Sequence, residues 1–284
     1  MASDQTGTLY LCATPIGNMS DVTLRVIETL KSVDLIAAED TRNSIRILNA
    51  YEIGTPMTSY HEHNKYDKAE YLIGVMRTGR NVALITDAGT PAISDPGEVL
   101  VRECQRAGIP VTSLPGPCAC ITALTLSGLP TRRFTFEGFL PYDKKEKAEV
   151  LADLRTEHRT VVLYEAPHHL VRTLKELFDA LGDRRVTICR ELTKKFETVT
   201  PTTLGEALDY YEGNEPRGEF VLVLEGRSLE EMKAEERSRW ESMTLNEHLD
   251  MYLSDGLDKK EARKKVAADR GMSRRDVYNA LLGK

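Results

Sequence analysis

Short apolar runs alternate along the chain with loops of small and polar residues, and the spacing predicts strands alternating with helices. Val82–Ile85 is apolar with a β-branched residue at either end, the pattern of a strand buried on both faces of a parallel sheet. Residues 87–94 follow as a loop punctuated by Gly89 and Pro91. Asp95 then predicts a helix cap, with Pro96 at the first helical position and Glu98 placed as in a capping box. Val99, Leu100, Cys104 and Ala107 continue at helical spacing to Gly108.

The same unit recurs on either side. Residues 8–14 predict a strand and residues 15–19 its loop, with Ser20 or Asp21 capping a helix that carries Val22, Val26, Ile27 and Leu30 on one face. Residues 33–38 predict a strand ending in Glu39-Asp40-Thr41-Arg42, a polar cluster that suits a substrate contact as well as a helix cap with a surface ion pair. Tyr60-His61-Glu62-His63-Asn64 precedes a polar helix that runs to about Thr78. Residues 109–114 give a fourth strand, and Pro115-Gly116-Pro117-Cys118-Ala119 opens a helix whose small residues let a ligand approach backbone amides.

A change of regime at residues 131–141 marks a second α/β unit. Residues 160–164 predict a strand closing in Glu165-Ala166-Pro167, and residues 168–181 a helix with Leu170, Leu174, Leu177, Phe178 and Leu181 on one stripe. Residues 185–189 and 218–226 predict two more strands, the latter with Phe220, Leu222 and Leu224 alternating, and residues 203–211 a short helix. Three further helical patterns close the chain. Leu245, Leu249 and Leu253 make one stripe, Ala262, Val266 and Ala267 a second, and Ser273 caps a third with Val277, Leu281 and Leu282 after the break at Gly271. The expected domains are 1–135, 136–228 and a helical appendage at 229–284.

Length and composition fit this division. The 284 residues suffice for two buried cores, and 41% hydrophobic with 29% charged residues is ordinary for a globular chain. No apolar run approaches the roughly 20 residues of a membrane span, and the first seven residues lack the regions of a signal peptide, which predicts a cytoplasmic protein without a membrane partner. Five cysteines scattered in apolar segments predict reduced, buried thiols, and no spacing among them or around His61 and His63 makes a metal site. Neither Gly-x-Gly-x-x-Gly after a strand nor Gly-x-x-x-x-Gly-Lys occurs, which weakens the common nucleotide-binding readings. The net charge of −6 conceals an asymmetry: residues 259–275 hold eight Lys or Arg against Glu261 and Asp269, so a body of −12 ends in a tail of +6.

Taken in order, Ala13-Thr14-Pro15-Ile16-Gly17-Asn18, Ala37-Ala38-Glu39-Asp40-Thr41-Arg42, Ser59-Tyr60-His61-Glu62-His63-Asn64, Asp87-Ala88-Gly89-Thr90-Pro91 with Ile93-Ser94-Asp95-Pro96-Gly97, Pro115-Gly116-Pro117, Tyr164-Glu165-Ala166-Pro167-His168 and Arg190-Glu191-Leu192-Thr193-Lys194 resemble the ribosomal RNA small subunit methyltransferase I family. The resemblance covers nearly the whole chain. It implies a two-domain tetrapyrrole-methylase-like α/β fold, S-adenosylmethionine held between the domains, and a homodimer. It also implies 2′-O-methylation of a decoding-region cytidine, cytidine 1402 in conventional numbering, of 16S rRNA in the small ribosomal subunit. By the same resemblance Asp87, Ala88, Gly89 and Ile93 match the central cofactor loop, Cys118 and Ala119 the turn at the methionine end, Glu165 and Ala166 the contact from the second domain, and Pro15 and Ile16 the flanking loop. Cys118 departs from the usual Ser or Thr, His169 from Arg, and Pro201 from Gly.

Proton removal from a ribose hydroxyl calls for a general base. Glu39, Asp40, His61 and Glu191 are the candidates, with Asp40 beside Arg42 preferred and Glu191 in support. His61, Lys194, Lys260, Arg263, Lys264, Arg274 and Arg275 are the expected RNA contacts, those in the tail on a helix-turn-helix-like pattern. A tetrapyrrole carbon methyltransferase and a non-catalytic RNA-binding factor on the same scaffold are the alternatives.

Overall fold

The computed structural model describes residues 6–228 and 242–282, with residues 230, 232, 234, 238 and 240 between them. Residues 1–5, which bear on the leader expectation, and most of the first stretch of the expected appendage lie outside the described residues. Two units are resolved by their internal packing, one spanning residues 1–155 and 159–225 and the other residues 156–158 and 226–284.

The first unit holds two five-stranded sheets. Its first sheet is entirely parallel, in the order β3 (Met57–Ser59), β2 (Leu35–Ala38), β4 (Val82–Ile85), β1 (Leu9–Cys12), β5 (Val111–Leu114). Central β2 and β4 are buried at every position, as unbroken apolar runs require when both faces are covered. Edge strand β5 instead exposes Thr112 and Ser113. Helices α3 (Lys65–Arg77) and α4 (Gly97–Arg106) cover one face around Leu72, Met76 and Leu100, while α1 (Leu24–Ser32) and α2 (Thr41–Ala50) cover the other around Val26, Leu30 and Leu48.

The second sheet is mixed, in the order β6 (Phe134–Gly138), β7 (Thr160–Glu165), β10 (Phe220–Leu224), β8 (Arg185–Arg190), β9 (Thr198–Thr203). Only β6 and β7 run parallel; the other pairs are antiparallel. Helices α6 (Lys144–Thr156), α7 (Leu170–Leu181) and α8 (Leu204–Gly213) pack on one face through Leu154, Leu170, Leu174, Leu177 and Leu204. Helix α5 (Ala119–Leu126) leaves β5 of the first sheet yet buries Cys120, Ala123 and Leu124 against Val162, Val221 and Val223 of the second, so one helix joins the two layers.

Several expectations need correction. Neither Ser20 nor Asp21 caps α1: the Asn18 side chain closes a 3-10 turn at Met19–Asp21, Val22 is extended, and Thr23 caps the helix by accepting from the Val26 amide. Helix α4 begins behind Pro96, one residue late, because the Asp95 carboxylate accepts from the Ala92 and Ile93 amides of the loop as well as from Gly97. Helix α7 starts at Leu170, two residues late, after His169. Strand β9 was not foreseen. Its Pro201 is tolerated because β9 is an edge strand. Helix α6 starts just behind Asp143, whose side chain accepts from the Lys145 and Glu146 amides.

The second unit contains α9 (Leu245–Ser254), α10 (Lys259–Asp269) and α11 (Arg274–Leu281), capped by Thr244, Asp258 and Ser273. Leu249, Ala262, Val266, Ala267 and Val277 form its core, joined by Leu245, Leu253 and Leu281 at its edge. Leu282, expected on the same stripe, is exposed because the helix has ended.

Candidate active site

The strand order turns at β1 and β4, whose connections leave to opposite sides of the sheet, and open α/β sheets bind ligands at the carboxyl ends of such strands. There the two loops meet. Thr14 and Gly89 exchange backbone hydrogen bonds of 2.9 and 3.1 Å, and the Thr14 hydroxyl donates to the Thr86 carbonyl at 3.0 Å. Gly89 sits at φ +86°, and a Cβ there would lie 3.2 Å from Cγ2 of Ile16, so the loop needs glycine on both counts.

Beside this junction lies a cavity of about 490 Å³, in the range of small-molecule sites. The first sheet contributes Ile16, Glu39 and residues 86–90 and 93–95; α5 contributes Cys118 and Ala119; the second sheet contributes Tyr164, Glu165, Ala166, Pro167, Phe220 and Val221. Phe139, Leu192 and Glu219 complete the wall. The backbone around it is held in sparsely populated conformations, with positive φ at Ala92, Ser94, Glu191 and Thr193, and strain of this kind gathers at functional sites. Gly17 leaves no room for a side chain against Lys194 and Thr193, and the Asn18 amide donates to the Thr193 hydroxyl at 3.1 Å, so the loop after β1 clasps the loop after β8.

Nine of the ten residues expected to meet the cofactor line the cavity: Ile16, Asp87, Ala88, Gly89, Ile93, Cys118, Ala119, Glu165 and Ala166. The Glu165 carboxylate, however, is buried and turned onto the protein, accepting from the Ala166 amide at 2.7 Å and the Thr173 hydroxyl at 2.5 Å. Pro15 is buried behind Ile16 and is not part of the wall. Asp87 accepts from the Asp40 amide at 3.1 Å and from the Asn43 side chain at 3.2 Å, leaving lone pairs for a ligand.

The expected base fares differently. Asp40 caps α2 and is gripped by Arg42, whose Nη2 lies 2.8 Å from Oδ2 and whose amide donates to Oδ1. The Arg42 hydrogen bonds hold the Asp40 carboxyl at about 2, too acidic for a useful proton acceptor near neutrality. Glu191 is also occupied, by the Lys194 ammonium at 2.8 Å and the Glu219 amide at 2.9 Å; burial works against its charge, but these partners outweigh burial and keep its pKa low. Neither Asp40, Arg42 nor Glu191 lines the cavity, whereas Glu39 does, accepting from the Thr86 hydroxyl at 2.6 Å.

Among the expected RNA contacts, Lys194 is clamped by Glu191 and Glu219. His61 sits in the turn after β3, with Asn64 against its Nε2 at 3.2 Å. In the helical unit Lys260, Lys264, Arg274 and Arg275 are exposed, and Arg263 lies over the Tyr278 ring. Arg270 is half-buried, bonded to His248 Nδ1 and the Met243 carbonyl, and so serves that unit's interior. Phe139, Tyr164, Leu192 and Phe220 were not anticipated as wall residues; the one usable signal was an aromatic side chain, Tyr164, at a strand end beside Glu165.

The donor set fits S-adenosylmethionine: small residues admit a ligand to loop amides, apolar Ile16, Ile93 and Phe220 offer a dry face for a purine, and Asp87 offers an acceptor to hydroxyls or a cation.

Residues 8–208 match the Tetrapyrrole (Corrin/Porphyrin) Methylases family model. The chain is 47% identical over 274 residues to Ribosomal RNA small subunit methyltransferase I of Bacillus subtilis, covering 96% of this chain and 94% of that one. It is 46% identical over 233 residues to the protein of that name from Escherichia coli O157:H7, covering 81% and 82%. Among solved structures, a uroporphyrin-III C-methyl transferase from Thermus thermophilus complexed with S-adenosyl homocysteine superposes with a TM-score of 0.55 at 23% identity, covering 77% of this chain and 97% of that one. A diphthine synthase gives 0.61 at 13%, covering 77% and 90%. The chain therefore belongs to the ribosomal RNA small subunit methyltransferase I family, on the tetrapyrrole methylase fold, and is an S-adenosylmethionine-dependent methyltransferase.

Proposed function

We propose that this enzyme methylates the ribose 2′-hydroxyl of a decoding-region cytidine, cytidine 1402, of 16S rRNA in the small ribosomal subunit. The relatives' shared name supports ribosomal RNA as the substrate class. The observation that carries the reading is the cavity itself, which loops from both sheets close around Asp87 and Gly89. Bound S-adenosylmethionine supplies an electrophilic methyl group on a sulfonium.

The protein's part is alignment and proton removal. Asp87 through Ile93, Cys118, Ala119 and Ala166 hold the cofactor, and fixing two reactants in line is worth up to about 7 to 11 kcal/mol. Glu39, a wall carboxylate, takes the hydroxyl proton, while Asp40 and Arg42 brace the start of α2 and Glu191 braces the loop after β8. Exposed Lys260, Lys264, Arg274 and Arg275 give the helical unit its phosphate contacts, with His61 as a further RNA contact on the first unit. Such a substrate implies action in the cytoplasm, by a homodimer as the family resemblance suggests. Incubation with small subunits and labelled S-adenosylmethionine, followed by mapping of the modified nucleotide, tests the proposal: a 2′-O-methyl at that cytidine supports it, and label only on another RNA or on a tetrapyrrole contradicts it.

A further inference from the structure

Cys118 and Cys120 lie two residues apart at the start of α5 with their sulfurs 3.3 Å from each other, within reach of a bond of about 2.05 Å after a small rotation. One faces the cavity and the other is buried behind it. The amide of Cys120 donates to the Tyr164 hydroxyl at 3.0 Å, and Tyr164 is itself a wall residue, so the pair is tied to both sides of the cleft.

We propose that Cys118 and Cys120 form a dithiol that peroxide converts to a disulfide, and that the disulfide state binds S-adenosylmethionine weakly. This rests on the reading that Cys118 lines the cofactor site. Cys118 attacks one peroxide oxygen, the oxygen–oxygen bond breaks, and hydroxide leaves and is protonated to water, giving a sulfenic acid. The Cys120 sulfur then attacks the Cys118 sulfur and displaces the hydroxyl, which departs as water with the Cys120 proton. Two thiols are oxidised and one peroxide is reduced to two waters.

The surroundings favour the order of events. The Cys120 thiol, the Ile121 and Cys120 amides and the Thr90 hydroxyl stabilise a Cys118 thiolate against the cost of burial. Cys12, Cys104 and Cys189 are buried and pushed up by desolvation to about 12, so they serve as inert internal controls. Closing the bond must rotate the first turn of α5, where Thr122 donates to the Cys118 carbonyl at 2.9 Å and where Ala119 forms part of the wall. A reversible bond of this kind suits a reducing compartment, where disulfides are transient and sensing.

The test treats the full chain with hydrogen peroxide, maps disulfides by peptide mass, and measures S-adenosylmethionine affinity before oxidation, after oxidation and after dithiothreitol. The expected result is loss of two hydrogens from the peptide holding Cys118 and Cys120 and an affinity lowered at least about tenfold, restored by the reductant. Cofactor added beforehand slows the reaction. Cys120→Ala retains basal methyl transfer and forms no disulfide, and its sulfenic acid advances to irreversible products. Free thiols at both positions after excess peroxide, or a disulfide form that binds cofactor as tightly as the reduced one, overturn the proposal. A reduced protein that binds no cofactor faults the cofactor reading instead, while the peptide mass still decides the dithiol chemistry.

Discussion

The Thr86 hydroxyl donates a 2.6 Å hydrogen bond to the Glu39 carboxylate, linking the ends of neighbouring parallel strands β4 and β2 beside the cavity that both residues line. One residue further on, the Asp40 carboxylate turns into the cap of α2 and the grip of Arg42. Two adjacent acids thus have different partners.

That separation predicts opposite outcomes for two conservative substitutions. Glu39→Gln keeps an acceptor for Thr86 but removes the base, so turnover should fall by roughly 10² to 10⁴ with cofactor affinity retained. Asp40→Asn replaces one good cap by another and should change turnover and stability little. Single-turnover methyl transfer on small ribosomal subunits distinguishes them, and a larger loss for Asp40→Asn reverses the assignment.

Gly89 combines a left-handed backbone with a close approach to Ile16. Gly89→Ala should cost about 1 to 2 kcal/mol of stability from the backbone alone and weaken cofactor binding, as read by denaturant melts and calorimetry on the same sample.

Glu165 owes its buried carboxylate's comfort to the Thr173 hydroxyl. Thr173→Val removes that donor at nearly constant shape and should destabilise by about 1 to 3 kcal/mol. An unchanged urea midpoint would show that solvent or another donor replaces it.

The lowered Cys118 pKa has a definite pH signature. A depressed thiol pKa keeps thiolate present below the ordinary range near about 8.5, so iodoacetamide labelling of the folded chain should persist toward neutral pH and fall only below it. Bound cofactor should slow labelling across that range. A rate that climbs only through the ordinary thiol range removes the claim of a stabilised thiolate.

For the helical unit, a chain ending at Ser242 should keep cofactor affinity and lose RNA affinity. Its log affinity against log salt should flatten by about 1 for each phosphate contact removed. An unchanged slope assigns RNA docking elsewhere.

Much of this arrangement was legible in the residues because local rules dominate where packing is simple. Val82–Ile85 reads as a doubly buried strand and is one, and Ser273 caps its helix as the pattern dictates. Legibility failed where long-range partners decide. Strand β9 carries a proline and few apolar residues, and only the ladder with β8 makes it a strand. Lys194 and Arg270 look like free cations until Glu191 and Glu219, or His248 and the Met243 carbonyl, are found beside them. Phe139 and Phe220 reach the cavity only through the pairing of the second sheet and its attachment to α5, which no local pattern encodes.

The cavity around Asp87 and Gly89 is the proposed cofactor site. Isothermal titration of S-adenosylmethionine into the wild-type protein and into Asp87→Arg tests it most directly, with circular dichroism confirming that both are folded. The wild type should show one saturable site per chain and the folded variant no measurable binding. Equal affinity in the two would contradict it and place the cofactor elsewhere.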